Sequence, residues 1–279
     1  MSLLSMCGST SRFIRIQPGI VLKYDAFRKD EQTAEQSAGG QLIPARTPNC
    51  FVVERQIYEH LGKHPRIIEY LGYQDKPGLP PGLLLAEASH GSLQKYLENH
   101  DTVPLSIQKK WCRQVIESIS YIHQQGVIHS DLRPDNLLVH ATAASLDLYL
   151  CDFGGSTCEK LGLDGGSLPD SGFSDPNSEC VSTETTDIFS VASVLYTILT
   201  GHWPYRSTKG FFDSVDEFLA YMQMVDNLFE KRTFPSDVHA LWAGGVILKG
   251  WMNEYMNIDD MLQALDMTEG PKLPSGSLT

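Results

Sequence analysis

Three polar residues in an apolar setting raise the first chemical question. In the stretch GVIHSDLRPDNLLVH, residues 126–140, Asp131 and Asn136 stand five positions apart, and Asp152 follows Asn136 by sixteen. The intervening LLVHATAASLDLYLC reads as two apolar strands joined by a turn of small residues, which is a hairpin. A hairpin of that length returns Asp152 to the side of Asn136. An amide oxygen and a carboxylate then converge, both hard oxygen ligands suited to Mg2+. Asp131 stands next to them, free to orient a hydroxyl group. Such a set suits phosphoryl transfer, in which positioning and charge neutralisation supply most of the catalysis.

The surrounding elements must hold these groups in place. RFIRIQPGIVLKY, residues 12–24, reads as two strands around a Pro-Gly turn. The next 25 residues, rich in Gly, Ala and polar types, read as a loop. CFVVERQIYEHLGKH places apolar residues at 53, 57, 58 and 61, a helical spacing that ends near Gly62. RIIEYLGYQ and GLLLAEAS read as strands. Helices dominate from there on. SLQKYLENH follows Ser92 as an N-cap. SIQKKWCRQVIESISYIHQQG puts Trp111, Val115, Ile119 and Ile122 on one face, with Gly126 as its C-cap. Residues 155–183 read as loop. TDIFSVASVLYTILTG is apolar on nearly every face and reads as a buried helix. SVDEFLAYMQMVDNLFEK, VHALWAGGVILKGWM and NIDDMLQALDM each read as a further helix, and the last residues, from 269, as a frayed tail.

Composition narrows the class. With 42% apolar residues among 279 the chain can bury a sizeable core. A formal charge of −12 argues against a nucleic-acid polymer or an anionic membrane as the main partner, but leaves room for a nucleotide held by a few local cations. The six cysteines, at 7, 50, 112, 151, 158 and 180, form no CxxC pair, so reduced thiols in an intracellular, cytoplasmic or nuclear, protein are expected. MSLLSMCGSTSRFIR lacks the pattern of a secretory leader, and no apolar run is long enough to span a bilayer. His60 and His64 sit four apart without an evident third ligand, so helix-end roles are expected for them.

HSDLRPDN followed by CDFGG resembles the catalytic loop and the metal-binding DFG motif of eukaryotic protein kinases. The resemblance extends over roughly residues 7–265. It implies an α+β, bilobal fold: a small β-rich lobe with one main helix over about 1–88, and a larger helical lobe over about 89–268, the domain together spanning 1–268 and followed by a flexible tail at 269–279. It also implies ATP and Mg2+ as cofactors and a protein as substrate. By position, Asp131 matches the aspartate that orients the substrate hydroxyl, while Asn136 and Asp152 match the metal ligands. Arg133 takes the place of a lysine that contacts the transferred phosphate; its guanidinium keeps the charge with a different donor geometry. Lys23 matches the strand lysine on the α- and β-phosphates, and Glu54 its helix partner. Glu87 and Ser89 match hinge positions whose backbone bonds adenine, which puts Ala86 at the gatekeeper position. His129, Phe153, Tyr58 and Tyr70 match an apolar spine joining the lobes, and Asp187 a buried aspartate that supports the catalytic loop.

The chain departs from the family pattern in several places. CGSTSRFI puts Cys7, Ser9 and Arg12 where the phosphate-binding loop has glycines that let backbone approach phosphate. Ser130 replaces the arginine that pairs with a phosphorylated activation segment, so control by that route is not expected. The segment ends in SDPNSE rather than APE, and its usual ion pair lacks an evident arginine near KGWMNEY. Ala192 stands where the central helix has a glycine. Three readings follow: an ATP-dependent protein kinase of serine/threonine type, a pseudokinase scaffold that binds nucleotide or partner proteins, and a small-molecule kinase. The proline in DLRPDN and the CDFGGS stretch favour the first.

Overall fold

The computed structural model describes residues 3–4, 11–25, 49–179, 181–210 and 212–268. The phosphate-loop positions 7–10, the loop after residue 25 and the tail from 269 therefore lie outside the described residues.

The amino-terminal part is one antiparallel sheet against one helix. Its strands are β1 (Leu3–Leu4), β2 (Ser11–Gln17), β3 (Ile20–Asp25), β4 (Tyr70–Gln74) and β5 (Gly82–Ala86), in the order β1-β2-β3-β5-β4. The expected Pro18-Gly19 turn joins β2 to β3, and Gly19 takes the positive φ of 84° that the turn demands. Helix α1 (Asn49–Leu61) buries Val53, Ile57, Tyr58 and Leu61, the four positions its spacing singled out. RIIEYLGYQ is less regular than expected. Only its second half is β4, while Ile68 N–H donates to the Leu150 carbonyl at 2.9 Å and Leu150 N–H to the Arg66 carbonyl at 2.8 Å. That stretch ties the small sheet to the helical part.

Helix α2 (Leu93–Asn99) starts at Ser92, whose hydroxyl accepts from Lys95 N–H at 3.3 Å. A cap of this kind stabilises a helix by about 1 kcal/mol. In α3 (Leu105–Gln124) Trp111, Val115, Ile119 and Ile122 are fully buried. It closes as expected at Gly126 (φ 78°): Gly126 N–H bonds the His123 carbonyl and Val127 N–H the Ile122 carbonyl. The hairpin of β6 (Leu137–Ala141) and β7 (Leu146–Leu150) follows. The loop reading of 155–183 needs one amendment, since β8 (Thr157–Cys158) pairs with β9 (Leu163–Asp164).

Helix α4 (Glu184–Thr200) is the apolar one. It is buried from Thr186 to Ile198, capped by Thr183 and ended by Gly201 at φ 83°. Around it lie α5 (Val215–Glu230), α6 (Gly244–Trp251) and α7 (Ile258–Thr268). VHALWAGGVILKGWM is not one helix. A 3-10 turn spans Ser236–Ala240 and α6 begins at Gly244, whose absent Cβ would lie 2.0 Å from the Val238 carbonyl oxygen. No helix among the described residues is long and apolar enough to cross a membrane.

Candidate active site

The hairpin does what its length requires. Its five residue pairs run from Leu137↔Leu150 to Ala141↔Leu146, and Cys151 N–H then donates to the Asn136 carbonyl at 3.0 Å. Asp152 therefore leaves the hairpin next to Asn136, in a left-handed backbone conformation with φ 63°. The Asn136 side-chain amide donates to the Asp131 carbonyl at 2.7 Å and reaches its carboxylate at 3.4 Å. The Asn136 amide oxygen has no hydrogen-bond partner among the described residues.

Lys23 comes to the same place from the sheet. Its ammonium, buried on β3, bonds both carboxylate oxygens of Glu54 at 3.0 and 2.8 Å and Asp152 Oδ1 at 2.7 Å. Burial disfavours the charged lysine, but the two carboxylates outweigh it and hold Lys23 protonated far above the ordinary range. Asp152 shows the converse balance: burial opposes its ionisation, and Lys23 overcomes it and pulls the carboxyl below its usual value.

Asp187 anchors the catalytic loop from below. Its carboxylate, fully buried on α4, accepts from His129 N–H at 2.7 Å and Ser130 N–H at 3.0 Å, and meets His123 Nε2 at 2.9 Å. Burial opposes its charge as well, and His123 with these amides keeps it ionised. Ser130 is fully buried, with φ 67°, and its hydroxyl lies near Thr157 Oγ1 at 3.5 Å. The aromatic rings touch in series: His129 tilts against Phe153 at 5.3 Å, Phe153 meets Tyr58 edge to face at 5.1 Å, and Tyr58 stacks on Tyr70 at 5.6 Å. Asp131 is raised above its ordinary value by burial, against the pull of Arg133. Arg133 itself donates to Asp170, a partner the sequence reading did not foresee. Ser167 was also unforeseen. It packs so closely on Gly155 that a Cβ there would sit 2.5 Å from the Ser167 hydroxyl, and 3.5 Å from the Asp131 Cβ.

Three expectations shift. Directly paired residues on neighbouring strands share a face, and the register pairs Lys23 with Leu83, Val21 with Leu85 and Ile20 with Ala86. Leu85, not Ala86, thus lies on the Lys23 face, which makes Leu85 the candidate for the gatekeeper position. The hinge candidates change with it. Ser89 N–H donates to His140 Nδ1 at 3.2 Å, and Glu87 N–H to the Gly19 carbonyl at 2.9 Å. Ala86 and His90 donate to Glu69 and Val139. In this run Ala88 N–H is the one without a partner among the described residues. Third, a different ion pair takes the place of the missing one. Asp175 is buried and accepts from Arg232 at 2.9 Å and from Asn253 at 2.6 Å. KGWMNEY supplies the asparagine, and the arginine comes from just beyond α5.

The two cysteines and two histidines flanking the site are packed groups. Cys151 Sγ contacts the Asn136 carbonyl at 3.4 Å, and burial pushes its thiol up. His60 meets the Gln125 carbonyl at 3.0 Å, while His64 stacks on Tyr121 at 4.0 Å, so they face different partners. Cys50 packs over Gly154, and burial raises its thiol too.

Residues 34–257 match the protein kinase domain family. The chain belongs to that family. The kinase match begins after Lys23, so the place of that lysine rests on the geometry alone. Among curated kinases, the chain is 29% identical to the serine/threonine-protein kinase chk-1 of Caenorhabditis briggsae, over 72% of this chain and 41% of that protein. It is 28% identical to human receptor-interacting serine/threonine-protein kinase 1, over 57% and 27% of the two chains. It is 26% identical to the calcium/calmodulin-dependent protein kinase type 1 of Macrobrachium nipponense, over 51% and 42%. The chain thus spans less than half the length of these relatives. A crystal structure of the Rad53 kinase domain and SCD2 superposes with a TM-score of 0.57 at 17% identity, over 94% of this chain and 98% of that one. The same Rad53 pair in complex with AMPPNP gives 0.54 at 19%, over 78% and 80%. These structures share the bilobal kinase fold, with a small sheet over a helical body.

Proposed function

We propose that this kinase is catalytically active, uses ATP, and transfers the γ-phosphoryl group to a serine or threonine hydroxyl of a protein. The observation that carries the reading is Lys23 bonded at once to Glu54 and Asp152. Sheet, helix and hairpin contribute one residue each. A buried ammonium neutralised by two carboxylates has little structural value that apolar packing could not match. Held where sheet, helix and hairpin meet, it is poised for phosphate.

In this reading Asp131 orients the incoming hydroxyl and accepts its proton, and Arg133 neutralises charge on the phosphoryl group in flight. Lys23 grips the α- and β-phosphates while Glu54 fixes its position. Ala86 and Ala88 take over from Glu87 and Ser89 as the backbone partners of the base, with Leu85 behind it. Asn136 and Asp152 fit Mg2+: their donors are hard oxygens, the Asn136 amide oxygen is uncommitted, and the Asp152 side chain is 43% exposed. When bound, Mg2+ would neutralise phosphate oxygens. The serine/threonine preference is supported by DLRPDN and by the names of the relatives. The domain reading of 1–268 with a separate tail belongs to the same proposal.

The test is phosphate transfer by purified protein from Mg-ATP to a generic protein substrate. Turnover is expected, with Asp131→Asn reducing kcat by at least about 10³-fold. ATP raising the melting temperature without any turnover would instead support the scaffold reading. That reading has its own motive in the departures at 7–14 and in Ser130.

A further inference from the structure

The base and the phosphates of a nucleotide would be held by different pieces of this chain. Lys23 on β3 and the roof strand β2 serve one end, and residues 86–90 the other. The register shows what lies between them. Phe13 pairs with Lys23, and Arg15 with Val21, so Phe13 and Arg15 share the face of the active-site lysine. Val21 in turn pairs with Leu85. Arg15 therefore lies on the Lys23 face of the sheet, in line with Val21 and Leu85.

From there Arg15 Nε donates to Glu87 Oε1 at 2.7 Å, with Nη2 on the same oxygen. The other oxygen, Oε2, accepts from Gly19 N–H at 3.3 Å. Glu87 N–H returns a bond to the Gly19 carbonyl at 2.9 Å. All these bonds join the β2–β3 hairpin to one residue just past β5. Glu87 is largely buried and Arg15 is 42% exposed. A solitary surface ion pair would contribute little, but this carboxylate is also fixed by the turn amide, so the pair sets the angle of the roof.

We propose that Arg15 and Glu87 are positioning residues for the nucleotide: their ion pair fastens the roof strand to the base-binding segment and so fixes the distance between the two ends of the site. This rests on the reading of the cleft as an ATP site. It also assigns Glu87 a task through its side chain, in place of the direct adenine contact its position suggested.

The experiment compares wild type, Arg15→Glu, Glu87→Arg and the double charge exchange, with Arg15→Gln as a milder variant. The readouts are KM for ATP, KM for the protein substrate, kcat and melting temperature. Either single reversal should raise KM for ATP about fivefold or more, with kcat changed less than about twofold, and Arg15→Gln should raise it less. The double exchange should restore KM for ATP to within about twofold of wild type. A KM for ATP that ignores the single reversals overturns the proposal, as does an exchange that is no better than they are. A wild type that neither binds nor turns over ATP overturns the ATP-site reading itself, which separates the two failures.

Discussion

At the scale of single residues, the cleft works by setting burial against charge. In the proposed reaction Asp131 must be ionised to orient a hydroxyl proton, and burial raises its carboxyl against the pull of Arg133. Activity should therefore fall as pH drops through a value above the usual aspartate value of ~3.9. Asp170 adds to the upward push and also engages Arg133. Asp170→Asn should move the acid limb of the kcat/KM profile to lower pH, and an unmoved limb would show that Asp131 does not govern it. The chemistry-bearing letters were legible because Asp131, Asn136 and Asp152 lie within 22 residues, joined by one hairpin. Asp170 and Ser167 were not, because nothing local in SLPDSG marks a residue that will lie against a loop about 35 positions earlier. The gatekeeper candidate slipped by one for a related reason. In LLLAEA the apolar run does not alternate, so only the pairing with β3 tells which side faces Lys23.

Elements were legible where their pattern repeats. Helix α3 has five turns of one apolar stripe and a glycine to end it, and the sequence located both. The stretch at 236–251 failed as one helix because its break is tertiary: Gly244 is needed to clear the Val238 carbonyl. The same kind of fit explains Ala192. The family has glycine there, and the structure shows the compensation on α6, where a Cβ on Gly250 would lie 2.7 Å from the Ala192 Cβ. Gly250→Ala should destabilise the protein by about 1–3 kcal/mol in urea unfolding, through overpacking against α4. Adding Ala192→Gly should recover most of the loss. Equal stability of wild type and Gly250→Ala would mean the two helices can separate without cost.

At the scale of the whole molecule, two buried carboxylates cross between parts that the apolar core packs together. Asp187 ties α4 to the catalytic loop, and its depressed carboxyl makes a stabilising contribution that is full above the unfolded aspartate value of ~3.9. That contribution is lost as pH falls through the lower folded value. Asp187→Asn should cost about 2–4 kcal/mol at pH 7, and the gap to wild type should narrow in acid; a gap independent of pH would remove charge from the account. Asp175 ties the activation segment to Arg232 and Asn253. Arg232→Ala should cost about 3 kcal/mol, since it leaves a buried carboxylate short of its cation, measurable as a lowered urea midpoint. This pair was illegible in sequence because Asp175 stands before Pro176, where the APE pattern has its alanine, and its arginine lies 57 positions away, on an unexpected element. Its history can be read in other chains. Neither end is useful alone, so a lineage that lost one would be under pressure to lose or move the other. Across relatives, the acid at 175 and the arginine at 232 should come and go together, while relatives with an acid just after the proline should place their arginine elsewhere.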